Sequence, residues 1–235
     1  MNLEKYKNNI GIERLKFHYS QQADFDEDFL ITRYILNIKI SQALYPILSI
    51  IEVYLRNAID IMLQNIVDKD WLEKEITNQN LLFDYDYTKL NEALKTLKKK
   101  YKSENITRGK IIAELNFGFW VNLCSRKYNP KIWTKKNAFK MVFPNFPNCQ
   151  KEDIAIISSQ LTKIKNLRNR VFHYEPILKN NNDFLTIYNE IRQIIFYLPS
   201  GNERIIRETD NFNRIITEVI KELQQELERL ENKKP

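Results

Sequence analysis

Glycine and proline are scarce in this chain, at four and seven of 235 residues, and their scarcity favours long helices joined by short connections. Cysteine is scarcer still. Cys124 and Cys149 are too few for a disulfide framework, and neither has zinc-ligand spacing. Cys124 lies in an apolar helical stretch and reads as a small core residue. There is no glycine-rich phosphate loop, zinc signature or serine-nucleophile motif. No segment clearly alternates apolar and polar residues with period two, so no major sheet is expected. Met1 to Asn9 is polar and charged, unlike a signal peptide. The longest apolar region, Ile35 to Val67, is interrupted by Lys39, Glu52, Arg56 and Asp60 and does not read as a membrane span. These absences lead us to expect a cytoplasmic chain without a membrane partner. What the chain has in excess is positive charge. A net +7 suits a polyanionic partner, and serves ordinary solubility equally well.

The pattern predicts an all-α chain, read as one domain over residues 1–235. Residues 3–18 read as a short helix broken near Gly11. Asp24, Asp26 and Asp28 are N-cap candidates for a long helix to about Val67, with a kink or break at Pro46. A short helix at Trp71–Ile76 follows, then Asp84–Lys102, ending in a basic run. Thr107 can cap a helix over Arg108–Ser125, where Ile111, Ile112, Leu115, Phe119 and Trp120 have helical spacing. The stretch 129–150, with Pro130, Pro144 and Pro147, reads as loop with one short helix. Further helices are expected at about Glu152–Tyr174, Asp183–Leu198 and about Asn202–Leu230.

The helix at 152–174 carries the most chemistry. Its apolar stripe runs Ile154, Ile157, Leu161, Ile164, then Arg168, then Val171. Arg168 thus stands where the pattern asks for an apolar residue, and a charge on a packing face usually has a paired or functional reason. The alternative is an arginine snorkelling to a carboxylate. Five residues further on stands His173, one of only two histidines. Arginine holds phosphate bidentately at any physiological pH, and histidine moves protons near pH 7. Together they form a minimal kit for cutting RNA without a metal or other cofactor. Five residues of α-helix turn a side chain by about 140°, so Arg168 and His173 do not share a face of a regular helix. Two solutions stay open. Pro176 disfavours helical geometry at Glu175, so the last turn can loosen around His173. Otherwise the site joins Arg and His from two chains. A twofold dimer would bring two histidines and two arginines into one cleft, matching the need for a base, an acid and positive charge on the phosphorane.

The segment Leu167-Arg168-Asn169-Arg170-Val171-Phe172-His173 resembles the HEPN superfamily, whose ribonuclease members carry Arg, four to six residues, then His, with a polar residue after the Arg. The wider chain resembles the abortive-infection (Abi-like) family of bacterial defence proteins. The likeness rests on Ile51-Glu52-Val53-Tyr54-Leu55-Arg56-Asn57, Leu115-Asn116-Phe117-Gly118-Phe119-Trp120 and residues 167–176, which together cover about 50–177. It implies a HEPN-like helical bundle with flanking helices, a family-like core over about 24–200 and a C-terminal helix over about 202–231. It further implies a homodimer with a composite site, metal-independent endoribonuclease activity that halts growth of an infected cell, and restraint by a small RNA or protein inhibitor. Arg168, Asn169 and His173 would be catalytic, with Arg170 touching RNA backbone. HEPN proteins modified by a nucleotidyltransferase partner have Tyr two residues after the His. Here Glu175 occupies that place and Tyr174 comes one residue early, which speaks against that pairing. The competing reading is a non-catalytic RNA- or partner-binding module.

Other residues have two readings each. Glu52 and Arg56, four apart, can pair and brace the site, or form a structural salt bridge. The run Lys98-Lys99-Lys100-Tyr101-Lys102 and the group Lys131, Lys135, Lys136 and Lys140, with Trp133 and Phe139, can follow phosphates and stack bases. They equally suit a solvated helix face and a packed loop. His18 follows Arg14 by four positions, outside the motif's form, and reads as a surface or partly buried residue.

Overall fold

The computed structural model of the chain describes residues 7–11, 27–147, 153–178, 183–199, 201 and 203–232. Ten α-helices and no strand lie among the described residues, so the fold is all-α. The helices are α1 Glu27–Ile66, α2 Trp71–Thr77, α3 Asp84–Lys100, α4 Arg108–Glu114, α5 Phe117–Leu123, α6 Ala138–Val142, α7 Asp153–Phe172, α8 Asp183–Tyr197, α9 Glu203–Thr209 and α10 Phe212–Glu231. Near the N-terminus the described residues form one π turn, Lys7–Gly11, closing on Gly11 at φ 77°. The remainder of the helix expected at 3–18, the Asp24 and Asp26 caps, His18 and Cys149 lie outside the described residues.

Three expectations change in detail. α1 runs 40 residues through Pro46 without a break. Proline inside a helix costs about 3 kcal/mol by deleting an amide donor and crowding the carbonyl four residues back. Leu44, Ile47 and Leu48, all at most 1% exposed, hold the helix by packing instead. The helix expected over Arg108–Ser125 is two. Leu115 turns extended, and Asn116 caps α5 by accepting from the Phe119 amide at 2.9 Å. Thr107 caps α4 as its type suggests, accepting from Lys110 at 3.4 Å. The C-terminal helix is also two, divided at Asp210, whose carboxylate accepts from the Phe212 amide at 3.2 Å and the Tyr188 hydroxyl at 2.6 Å.

The described residues gather into two compact units. The first draws on Met1–Ser49, Asn166–Asn189 and Asn202–Pro235, the second on Ile50–Lys165 and Glu190–Gly201. By length and composition α1 is apolar enough to cross a membrane, with half of that window buried in the protein. Its buried positions, Leu36, Ile40, Leu44, Ile47, Ile51, Leu55, Ile59 and Met62, recur at three and four residues. That is the stripe of a core helix rather than an all-round apolar cylinder.

Four polar residues are buried among the described ones: Asn37, Asp60, Glu75 and Asp86. Each is a hub, as desolvated polar groups must be. In the second unit, Asp60 accepts from Trp71 Nε1 at 2.9 Å and pairs with Arg108. Glu75 closes the loop after α2, accepting from the Leu81 and Leu82 amides, each at 2.8 Å. Asp86 accepts from Asn122 at 2.6 Å, Lys127 at 2.8 Å and the Tyr128 hydroxyl at 2.8 Å. Burial pushes the Tyr128 phenol well above its usual range, the Phe83 amide hydrogen bond opposes this, and Asp86 adds to it. Cys124 is fully buried and free, and burial raises its thiol likewise. The fourth hub, Asn37, belongs to the first unit.

Candidate functional site

α7 buries the stripe its sequence declares. Ile154, Ile157, Leu161, Ile164 and Leu167 are at most 2% exposed, and Val171 is 6% exposed. Arg168 is half-buried, with its guanidinium carbon 4.3 Å from the centroid of the Phe172 ring, one turn further on. The helix ends in a Schellman motif. The Tyr174 amide bonds the Val171 carbonyl at 3.3 Å, and the Glu175 amide bonds the Arg170 carbonyl at 2.9 Å. Tyr174 takes the left-handed position at φ 57°, where glycine is usual. His173 is the C-cap residue, and its amide still bonds the Asn169 carbonyl at 2.9 Å. The loosening expected around His173 therefore begins one residue later, at Tyr174. Asn169 and His173 share an exposed face, whereas Arg168 leans onto Phe172.

The chain after His173 is clamped. The Asn37 carboxamide, in α1, accepts from the Ile177 amide at 2.6 Å and donates to the Glu175 carbonyl at 3.3 Å. Arg33, one turn earlier, reaches the Leu178 carbonyl at 3.4 Å. Arg170 folds its guanidinium onto the Pro176 and Ile177 carbonyls. These bonds hold the backbone that follows the helix. Sequence reasoning missed Asn37. The available signal was an amide standing beside the apolar stripe of a long helix.

A groove of about 630 Å³ flanks this helix end. One wall is the face of α1 carrying Tyr34, Ile38, Gln42 and Tyr45, and the other is Val171, Phe172 and Tyr174. Tyr45 and Phe172 meet at 5.4 Å between centroids. Tyr45 is 55% exposed and Tyr174 74%. No sequence signal singled out Tyr45, because its partner Phe172 is distant in the chain.

The remaining candidates lie in the second unit. Glu52 and Arg56 are half-buried. Lys98, Lys99 and Lys100 are exposed on the last turn of α3, where cations suit the helix dipole, and Lys100 lies 3.5 Å from Glu114. Lys135 and Lys136 are exposed. Lys131 instead donates to the Asn80 carbonyl at 3.0 Å. Trp133 is a core residue, 8% exposed and bonded to the Leu123 carbonyl at 2.7 Å, so it is not available to stack bases. Phe117, Phe119 and Trp120 are buried as well. Among the described residues no group of three His, Cys, Asp or Glu is placed to hold a metal ion.

Compared with protein-family models, curated proteins and solved structures, the chain matches none.

Proposed function

We propose that this chain is a HEPN-type endoribonuclease of the abortive-infection kind, acting on RNA in the cytoplasm as a homodimer. The observation that carries the reading is the end of α7. An exposed histidine is held at a fixed C-cap, and an arginine is braced on the adjoining aromatic ring. His173 would take the proton of a ribose 2′-hydroxyl. The 2′-oxygen then attacks phosphorus, and the bond to the 5′-oxygen breaks. A second histidine, from the partner copy, protonates that oxygen. The products are a 2′,3′-cyclic phosphate and a 5′-hydroxyl. Arg168 would stabilise the phosphorane charge, Asn169 orient the phosphate, and the clamp from Asn37 hold His173 in place. The divergence of Arg168 and His173 within one chain supports the composite arrangement. A small RNA or a protein would restrain the activity until it is needed.

The second reading is a non-catalytic RNA- or partner-binding module, favoured by the exposed aromatic groove beside the motif. Incubating pure protein with total RNA in chelator and sequencing the new ends separates the two. Defined cuts support the enzyme, and intact RNA supports the module.

A further inference from the structure

The positive charge of this chain is not spread evenly. Residues 93–147 hold thirteen Lys and Arg against two Glu, a net +11. The rest of the chain holds 24 against 28, a net −4. That whole segment belongs to the second unit. Its densest part is the C-terminal half of α3. Lys95, Lys98 and Lys99 stand at i, i+3 and i+4, so they share one exposed face, opposite the buried Leu90, Leu94 and Leu97. Like charges at these spacings repel and cost the helix stability. The C-terminus of a helix carries about half a negative charge, which suits one cation and not three. Glu92, one turn before Lys95, is held by Lys89 at 2.7 Å. Among the described residues no hydrogen bond or ion pair engages the ammonium groups of Lys95, Lys98 and Lys99. Beyond the helix the cations continue with Lys102, which is exposed, and Lys110, whose Nζ lies 4.1 Å from the centroid of the Tyr101 ring.

We propose that this face of α3 is a docking surface for the phosphate backbone of RNA, held by charge and without regard to base sequence. The inference rests on the RNA-acting reading above and adds to it where the backbone is gripped. The chemistry of the face selects the partner. A protein partner needs an apolar core to its interface, where lysine is depleted. A membrane surface needs a helix with a broad apolar face to bury beside its cations. Over residues 93–113 the one exposed large apolar side chain among the described residues is Tyr101, at 42%. A phosphate backbone needs no apolar partner. Each lysine that neutralises a phosphate releases a condensed counterion, and that release drives binding. Contacts to phosphate position a nucleic acid and carry no sequence information of their own.

The test uses the full chain with His173→Ala, to keep RNA whole, and a labelled single-stranded RNA titrated by anisotropy across a range of salt. Lys95→Gln, Lys98→Gln and Lys99→Gln together should lower affinity at least about tenfold at 0.1 M salt, and should reduce the slope of log affinity against log salt by about two. Lysine and glutamine have similar helix propensity, so the helical spectrum should not change. The same three positions as arginine should keep affinity and slope. A control with Lys69, Arg207 and Lys221 changed to glutamine alters net charge equally, and should leave the slope as it was. Absence of RNA binding overturns the proposal, as does a wild-type slope in the first triple variant or an equal loss in the control. Binding of polyglutamate or of phosphatidylserine vesicles in place of RNA assigns the face to another polyanion and also overturns it. If wild-type protein leaves RNA uncut while the slope change remains, the nuclease reading falls and this one stands. If wild-type protein cuts RNA and the triple variant binds it unchanged, this one falls and the nuclease reading stands.

Discussion

Asn37 Oδ1 accepts a hydrogen bond from the Ile177 amide at 2.6 Å, across 140 residues of sequence. That bond, with its companion to the Glu175 carbonyl at 3.3 Å, fixes the chain immediately after His173. Asn37 is 3% exposed, so no water replaces it readily.

Asn37→Ala leaves the buried Ile177 amide without an acceptor and should destabilise the protein by about 2 kcal/mol. Amide exchange at residues 175–178 should rise more than the global change explains. Denaturant melts together with exchange rates check this. Unchanged protection at Ile177 would contradict the clamp.

Tyr174 sits at φ 57°, a conformation that costs a residue with a Cβ about 1 kcal/mol. Tyr174→Gly should therefore leave stability unchanged or raise it by up to about 1 kcal/mol, despite glycine's extra freedom when unfolded. Tyr174→Val should lose stability, since a branched side chain fits the left-handed region worst. Thermal melts of the two variants decide it.

Tyr128 carries the pH prediction. Its folded pKa is raised, chiefly by burial, so its contribution to stability is complete below the phenol's ordinary value of about 10. The contribution is lost as pH rises above that value, because the unfolded chain releases the proton and the folded chain does not. Tyr128→Phe should be less stable near neutrality, losing its bonds to Asp86 and Phe83. Its stability should then fall less steeply than wild type between about pH 10 and 12. Parallel urea melts across that range give both slopes.

The proposed composite site makes a prediction about assembly. The active species should be a dimer with both His173 side chains facing a shared cleft. Sedimentation at assay concentration, paired with cleavage assays on dilution, checks it. Activity should fall as dimer is lost, and full cleavage by a strictly monomeric form would contradict the arrangement.

Much of the fold was legible because helical periodicity is a local signal. α2, α3, α7 and α8 start and stop within two residues of their expected limits. The splits at Asn116 and Asp210 were not legible, because each depends on a side chain choosing a backbone amide over solvent. The continuity of α1 through Pro46 depends on the packing of Leu44, Ile47 and Leu48, which a proline rule does not see. Around the motif, the sequence marked Arg168 and His173. It was silent on Asn37 and Tyr45, whose partners lie more than a hundred residues away. For Trp133 it left base stacking and a packed loop open, and the hydrogen bond to the Leu123 carbonyl places the ring in the core.

The most direct test of the central proposal is RNA cleavage in excess chelator by wild-type protein and by His173→Ala. His173 is exposed, so its loss should leave the helical spectrum unchanged. The proposal predicts that wild type cuts, leaving 2′,3′-cyclic phosphate and 5′-hydroxyl ends, and that the variant does not. A strict magnesium requirement, 3′-hydroxyl ends, or cleavage at wild-type rate by folded His173→Ala protein would contradict it.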